Sequence, residues 1–414
     1  MMRAALGSMH VLFLAPDTHI YNHGFVRGLT SLGARVSAIG PAPRERLPQG
    51  LAAMLAEYRA CPRILDDQAL LEHARALAGG GSFDRIETID EPLVEPAARL
   101  REVLGVPGLS LATARLCRDK VAMKEFLRGH GVACAQSAGA SSAAEVQAFA
   151  ERVGFPIIVQ PVAGFGTLDT YRGASRTELD AILAKLKPGE ARRVACEEFV
   201  EGHEGFFDTM VDDHGVRFEF ASHYYPSCLE AANDRKVAPQ IAVTNRIEQD
   251  GYRELRAMGK KVVELLGLRN TGTHMEWFFG PKGLKFSEIG ARPAGERIWD
   301  MYGVANDFDV YREWALAISG RGSERGPSRR LAVGSVQIRP DRDGKITGHS
   351  GLEEARRRFA SLVYECEIPQ PGTPTKPLDK GWLCNTWFRL RHEDYDRVRE
   401  VMTELGRLVK SFAT

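Results

Sequence analysis

The stretch from His274 to Pro293 reads HMEWFFGPKGLKFSEIGARP, and the interpretation of the whole chain depends on it. Two short runs rich in aromatic and aliphatic residues flank Gly-Pro-Lys-Gly, a set of turn-forming residues. This pattern predicts a β-hairpin. Each predicted strand carries one glutamate, Glu276 on the first and Glu288 on the second, so the register of the hairpin determines whether the two carboxylates meet.

Two loop lengths fit this turn, and they place the glutamates differently. A two-residue loop of Pro281 and Lys282 directs Glu276 and Glu288 to opposite faces of the sheet. A three-residue loop that ends in a left-handed Gly283 sets the two glutamates directly opposite each other. The residues Pro-Lys-Gly suit the three-residue loop better. We therefore predict the longer loop and a facing pair of carboxylates.

Facing carboxylates need a partner, because like charges opposed across two strands destabilise a sheet. A shared proton or a cation between the carboxylates removes this cost. Oxygen ligands of this kind favour a hard divalent metal, and Mg²⁺ is the one we predict for Glu276 and Glu288. The alternative, an ordinary hairpin with one exposed glutamate, stays open for this segment taken by itself.

Composition excludes several classes of function. The 414 residues suggest two or three domains, and 44% hydrophobic with 26% charged residues is typical of a globular protein with a large core. A formal net charge of +1 gives no general attraction for nucleic acid or membrane surfaces. The seven scattered cysteines form no Cys-x-x-Cys pair, which favours reduced cysteines in the cytoplasm. We expect small-molecule partners and neither nucleic acid nor a membrane.

The order of predicted elements divides the chain into three parts. Residues 1–110 alternate strands and helices, which predicts a parallel α/β layer. Residues 111–325 form an α+β module, with a lid subdomain at about residues 130–193. A polar segment, RGSERGPSRR, ends this module, and residues 326–414 are predicted to form a small α+β domain. The predicted fold class is therefore α/β and α+β multidomain.

Three further segments precede the hairpin in a fixed order. They read CRDKVAMKEFLRGHGV (117–132), GFPIIVQPVAGFGTLDTYRG (154–173) and CEEFVEGHE (196–204). This order resembles the ATP-grasp superfamily over roughly residues 1–325, and the tail resembles the C-terminal domain of biotin carboxylase relatives. The resemblance implies a pre-ATP-grasp domain, an ATP-grasp module of two α+β subdomains, and the cofactors ATP and Mg²⁺.

The resemblance implies roles for residues around the nucleotide phosphates. Lys120 is the helix lysine that reaches the phosphates, and backbone N–H groups of Gly164, Gly166 and Thr167 are placed to hold anionic oxygens. Gln160 stands where the family usually has a lysine.

It also implies roles at the adenosine and at the metal. Glu197 and the backbone of Val200 correspond to residues that meet the adenine, and Glu204 corresponds to the glutamate that holds the ribose hydroxyls. Arg292 corresponds to the arginine that binds the transferred phosphate or the developing oxyanion. Gly290 stands where the family commonly has an asparagine.

Family members usually join a carboxylate to an amine or another nucleophile while cleaving ATP to ADP. The resemblance therefore implies an amino-acid or dipeptide type of ligase that forms an acyl phosphate and releases ADP and phosphate, with Lys120 and Arg292 as its catalytic residues. A biotin-carboxylase-like carboxylation, or nucleotide binding without ligase turnover, are the alternatives, and a homodimer is left open.

Four further residues are candidates for a substrate pocket, with a structural role favoured for each. They are Tyr302, Glu296, Arg297 and His223.

Overall fold

The structure is a computed structural model that describes residues 9–164, 169–377 and 384–414. Gly166 and Thr167 of the predicted phosphate loop lie outside the described residues. The helices are α1 (Asn22–Ser31), α2 (Gln49–Met54), α3 (Asp67–Ala78), α4 (Val94–Leu104), α5 (Leu111–Arg118), α6 (Lys120–Gly129), α7 (Ala143–Val153), α8 (Arg176–Leu186), α9 (Cys228–Asn233), α10 (Arg253–Leu265), α11 (Ile298–Asn306), α12 (Val310–Ile318), α13 (Leu352–Phe359) and α14 (Tyr395–Leu408). The strands are β1 (His10–Leu14), β2 (Arg35–Gly40), β3 (Glu57–Ala60), β4 (Arg85–Thr88), β5 (Ser137–Ala140), β6 (Ile157–Pro161), β7 (Tyr171–Gly173), β8 (Val194–Glu198), β9 (His203–Asp212), β10 (Gly215–Tyr225), β11 (Gln240–Val243), β12 (Thr271–Gly280), β13 (Gly283–Gly290), β14 (Ala332–Ile338), β15 (Ile346–Ser350), β16 (Val363–Glu367), β17 (Thr386–His392) and β18 (Lys410–Ala413).

The N-terminal part is the parallel layer that the sequence predicts. Its strands lie in the order β3-β2-β1-β4, and the pairs that β1 makes with β2 and with β4 are both parallel. Helix α1 packs so closely on α12 that a Cβ atom on Gly28 would lie 2.3 Å from the carbonyl oxygen of Tyr311. Only glycine allows this approach, and it fixes the N-terminal layer against the middle of the chain.

A small antiparallel sheet forms the core of the predicted lid. Its strand order is β5-β8-β6-β7, and helices α7 and α8 bury their apolar faces on it. Ser142 and Ser175 cap the N-termini of these two helices by accepting hydrogen bonds from the backbone three residues later. Within the described residues, these strands and helices form one packed unit.

A larger sheet of eight strands runs through the rest of the molecule, in the order β13-β12-β9-β10-β11-β14-β17-β16. Strand β14 pairs with β11 across the predicted boundary near residue 326, so the last part of the chain extends the same sheet. The division of the chain into three domains stays a prediction. No helix within the described residues is long and apolar enough to cross a lipid bilayer.

Candidate active site

The hairpin of β12 and β13 brings Glu276 directly opposite Glu288, as predicted. The predicted loop is wrong, because Gly280 pairs with Gly283 and leaves a loop of only two residues. The facing pair arises from a bulge instead: β13 contains one extra residue, Ser287, where the register shifts beside Glu276. With the two-residue loop alone, Glu288 would point to the opposite face of the sheet from Glu276. The one inserted residue returns Glu288 to the same face as Glu276.

The bulge lies where β13 is held from its other edge. The backbone N–H of Phe286 donates to the carbonyl oxygen of Ala133 at 2.8 Å, and Phe286 also forms a parallel bridge with Cys134. Phe286 itself is buried. The segment that follows α6 therefore fixes β13 just before the shift in register.

Lys120 joins this pair of carboxylates. Asp119 caps α6 by accepting hydrogen bonds from the N–H groups of Val121 and Ala122, which puts Lys120 in the first turn of the helix. The Lys120 ammonium forms an ion pair with Glu288. Burial, assisted by the nearby charge of Lys124, lowers the pKa of Lys120 to about 8. The lysine predicted to bind phosphate thus lies at the predicted metal site.

A charged histidine supports the other carboxylate. His274 contacts Asp208 through Nδ1 at 2.7 Å and approaches Glu276 through Nε2 at 3.7 Å. Burial works against the charged ring, but Asp208 and Glu276 outweigh it and raise the pKa of His274 to about 9. Burial alone would raise the pKa of Glu276, yet His274 and Lys120 hold it below its ordinary value. Glu276 is therefore ionised at neutral pH.

Glu204 lies beside Glu276 on the neighbouring strand β9. One oxygen of each carboxylate and the sulfur of Cys228 lie within 4.8 Å of one another. The backbone N–H of Cys228 donates to Glu204 at 2.7 Å. Burial and the charge of Glu276 raise the pKa of Glu204 to about 8. The ribose-binding role of Glu204 stays a prediction.

Glu197 connects the lid sheet to α6. Its carboxylate accepts from Lys124 at 2.5 Å and from the Gln160 amide at 3.0 Å, so Gln160 and the helix lysine share one partner. Lys124 is 1% exposed and carries the positive charge of this group. Val200 follows β8, and Gly164 follows β6. Their predicted contacts with adenine and phosphate stay predictions.

Arg292 is held by the N-terminal layer. Its Nε donates to Glu91 at 2.7 Å, and Arg118 donates to the other oxygen of the same carboxylate at 2.9 Å. Burial alone would raise the pKa of Glu91, but Arg292 and Arg118 outweigh it and lower the pKa. Sequence reasoning missed Glu91, which lies just after β4 and some two hundred residues before the hairpin.

The same carboxylate explains the unusual glycine at position 290. A Cβ atom on Gly290 would lie 3.1 Å from Glu91 Oε2, a separation tighter than ordinary van der Waals contact. An asparagine at this position would therefore press on the group that holds Arg292. A side chain at position 290 would therefore require the Glu91 carboxylate to shift by a few tenths of an ångström.

Three of the four pocket candidates have structural partners. Tyr302 is fully buried and donates to Asp208 at 2.8 Å. Arg297 forms ion pairs with Asp300 and Glu365. His223 bonds to other ring groups and lies on the far face of the sheet from Glu276. Glu296 is the exception, because its Oε2 is buried without a hydrogen-bond partner among the residues that the structure describes.

His274, Asp208 and Cys228 are site residues that sequence reasoning missed. His274 could have been found, because residues two apart on a strand share a face and it precedes Glu276 by two. Asp208 and Cys228 reach the site only through strand pairing and the placement of α9.

Comparison with known proteins identifies related enzymes. Residues 119–294 match the family model described as carbamoyl-phosphate synthase L chain, ATP binding domain. The L-arginine-specific L-amino acid ligase of Bacillus subtilis is 27% identical over 327 residues, which cover 76% of this chain and 77% of that protein. The alanine–anticapsin ligase of Bacillus subtilis strain 168 is 26% identical, over 51% of this chain and 48% of that enzyme.

Solved structures share the fold over almost the whole chain. The L-amino acid ligase from Bacillus licheniformis superposes with a TM-score of 0.79 at 18% identity, covering 98% of this chain and 99% of that one. The N5-carboxyaminoimidazole ribonucleotide synthetase from Thermotoga maritima gives 0.70 at 15% identity, covering 98% and 100%. The family match and the ligase relatives indicate an ATP-grasp ligase of the carboxylate–amine type, and the solved structures show that the chain shares the fold of such ligases.

Proposed function

We propose that the chain is an ATP-dependent amino-acid ligase, which joins the carboxylate of one amino acid to the amine of another through an acyl phosphate. The observation that carries the proposal is the convergence on one hairpin of the facing Glu276 and Glu288, the ammonium of Lys120, and Arg292. The name of the arginine-specific relative supports amino acids as substrates.

The superfamily uses ATP and Mg²⁺, and the residues present fit the metal. Glu276 and Glu288 offer facing carboxylate oxygens, which are the hard ligands that Mg²⁺ prefers, and Glu276 is ionised. When bound, Mg²⁺ neutralises charge on the phosphates of ATP. Because the ion needs six oxygens and readily retains water, the missing side chain at Gly290 does not prevent binding.

The remaining groups act on the substrates. A carboxylate is a poor acyl donor, and phosphorylation gives it a leaving group that an amine can displace. In our proposal Lys120 leaves Glu288 for the phosphates, and Arg292 stabilises the acyl phosphate and the oxyanion that forms on amine attack. Glu91 keeps that guanidinium at the end of β13.

The nucleotide would lie between the lid sheet and the large sheet. We assign the adenine to Glu197 and the backbone of Val200, the ribose to Glu204, and the phosphates to Lys120 and the loop that begins at Gly164. Gly166 and Thr167 of that loop fall outside the described residues, and their role rests on the sequence resemblance.

A substrate panel tests the proposal. Purified protein with ATP and Mg²⁺ is given amino acids in pairs, and ADP release is followed by the mass of the product. We expect ADP to be released only when amino acids are present. We also expect a product whose mass equals that of a dipeptide. Glu288→Gln should lower turnover at least a hundredfold, whereas Glu264→Gln, an exposed glutamate on α10, should not change it.

Two outcomes would replace the proposal. ADP release that depends on bicarbonate, without amino acids, would indicate a carboxylating enzyme of the biotin carboxylase kind. ATP binding with no ADP release across the whole panel would indicate a nucleotide-binding protein without ligase turnover.

A further inference from the structure

Glu296 lies in a strained turn between β13 and α11. Both Glu296 and Arg297 have left-handed backbones, with φ angles of 57° and 59°. Glycine adopts this conformation without steric cost, whereas other residues do so at a cost in free energy. Two consecutive non-glycine residues in this conformation indicate that contacts made by their side chains offset the free-energy cost of the backbone.

The turn is held from outside, independently of the Glu296 carboxylate. Arg389 on β17 donates through Nη2 to the carbonyl oxygens of Glu296 at 3.4 Å and Arg297 at 3.3 Å. The Arg389 side chain is 3% exposed and is itself fixed by Asp300 and Glu365. The carboxylate of Glu296 is therefore free to serve another purpose.

One oxygen of that carboxylate is buried and unpaired among the described residues. Within that part of the chain, Oε2 has no hydrogen-bond partner and no cation at ion-pair distance, since Arg292 pairs with Glu91 and Arg297 with Asp300. Leaving a buried carboxylate oxygen unpaired is costly. Burial raises the pKa of Glu296 to about 7, against the opposing charges of Lys376, Arg292 and Arg389. A ligand cation would remove this cost.

The position of Glu296 connects it to the reaction. It follows Arg292 by only four residues, and the two side chains are close enough to interact electrostatically. Tyr21 of the N-terminal layer closes the turn, since a Cβ atom on Gly295 would lie 3.1 Å from its hydroxyl oxygen. The carboxylate thus lies where the N-terminal layer meets the end of the catalytic hairpin.

We propose that Glu296 binds the cationic group of an amino-acid substrate whose carboxylate is activated beside Arg292. This inference rests on the function proposed above and adds the substrate feature that the site selects. The cation is an ammonium or a guanidinium, since both donate charge-assisted hydrogen bonds to a carboxylate. Either the α-ammonium or a basic side chain can supply it.

Four ligands separate the two sources. L-Arginine carries both cations, L-citrulline only the α-ammonium, 5-guanidinopentanoate only the guanidinium, and pentanoate neither. Their affinities are measured by calorimetry on the full chain with Mg²⁺ and the β,γ-imido analogue of ATP. The variants are Glu296→Gln, Glu296→Gly, which also relieves the left-handed backbone, and Glu264→Gln as the control.

We expect both Glu296 variants to weaken the ligands that carry the contacted cation at least tenfold and to leave pentanoate unchanged. Loss for arginine and citrulline assigns the α-ammonium, and loss for arginine and 5-guanidinopentanoate assigns the side chain. Equal loss for all four ligands, no loss for any, or no binding of the three cationic ligands to the unmodified protein would overturn the inference.

Proton linkage gives a second readout that does not depend on turnover. The carboxylate must be ionised to hold a cation, so affinity should rise between pH 6 and pH 8 by up to about tenfold per unit below the pKa. The neighbouring Tyr21 and Cys384 do not titrate there, because burial raises both of their pKa values. Lys376, Arg292 and Arg389 are the basic groups that act on Glu296, and Glu296→Gln should give a flat profile.

The two proposals can fail separately. Failure of the substrate panel with Glu296-dependent binding intact would refute the ligase and leave the cation site. A dipeptide product with unchanged affinities in both Glu296 variants would leave the ligase and refute the cation site.

Discussion

Glu91 offers the sharpest test of how the site is assembled, because one carboxylate holds two arginines from different parts of the chain. Arg292 donates to it at 2.7 Å and Arg118 at 2.9 Å, and the Glu91 side chain is only 10% exposed. Glu91→Gln keeps the shape and one accepting oxygen but removes the charge. Both guanidinium groups then lose their counter-charge in a buried place.

The size of the effect follows from these contacts. Removing one partner of a buried ion pair costs about 3–5 kcal/mol. The glutamine oxygen still accepts a hydrogen bond and so retains part of the interaction. We therefore expect the free energy of unfolding to fall by about 3 kcal/mol. A displaced Arg292 would also forfeit stabilisation of developing charge, which is typically worth about 10²–10³ in kcat. The KM for ATP should change little, since Glu91 touches none of the predicted adenosine residues.

Glu95 provides a matched control in the same layer. It too accepts from two arginines, Arg99 and Arg115, both at 2.9 Å, but its side chain is 32% exposed. Exposed pairs contribute about 0–1 kcal/mol, so Glu95→Gln should leave melting temperature and turnover nearly unchanged. If thermal melts and steady-state kinetics find the two variants alike, the reasoning about Glu91 is refuted.

The pH dependence of stability provides an independent test of the role of Glu91. The pKa of Glu91 is lowered in the folded protein, so its contribution to stability is fully present above the unfolded pKa of about 4.3 and is lost as the pH falls through the lower folded value. The difference in melting temperature between the unmodified protein and Glu91→Gln should therefore be constant from pH 8 to pH 5 and shrink below pH 4. A difference that grows on acidification would contradict the assignment.

Three further substitutions test the hairpin. Lys120→Met should reduce kcat at least a hundredfold in steady-state assays while circular dichroism stays unchanged, since the ammonium is expected to leave Glu288 for the phosphates. His274→Asn removes a charge that lowers the pKa of Glu276, so Mg²⁺ binding followed by calorimetry should weaken more steeply on acidification than in the unmodified protein. Gly290→Asn should lower turnover and thermal stability, because the new side chain would meet the Glu91 carboxylate; a gain in activity would show that the missing amide is a lost ligand.

Local chemistry allowed the hairpin and the N-terminal parallel layer to be predicted from sequence. Apolar runs and turn residues act within a few positions, so a single segment contains the information. The facing pair of glutamates was predicted correctly for a wrong reason. The loop has two residues, and the register is corrected at Ser287 beside a strand edge that is fixed by Ala133. Ala133 lies about 150 residues earlier in the chain, so the local sequence pattern of the hairpin does not predict this contact.

The site residues that sequence reasoning missed share this remoteness. Glu91 and Asp208 act on Arg292 and His274 through contacts that only the packed sheets create. Each is an acidic residue whose own segment reads as an ordinary strand or turn. Pattern and resemblance therefore predict which groups meet the nucleotide, while the groups that hold those side chains in place emerge only from the fold.

The two departures from the family pattern acquire a common explanation in the structure. Gly290 stands against Glu91, which holds Arg292, and Gln160 donates to Glu197, which holds Lys124. In each case the residue that differs contacts a glutamate that binds a cation of the site. A neutral amide at position 160 supplies a hydrogen bond without competing for the charge of Glu197, and the absence of a side chain at position 290 leaves room for Glu91. We infer that both departures preserve the placement of Lys124 and Arg292, so restoring the family residue at either position should weaken the enzyme.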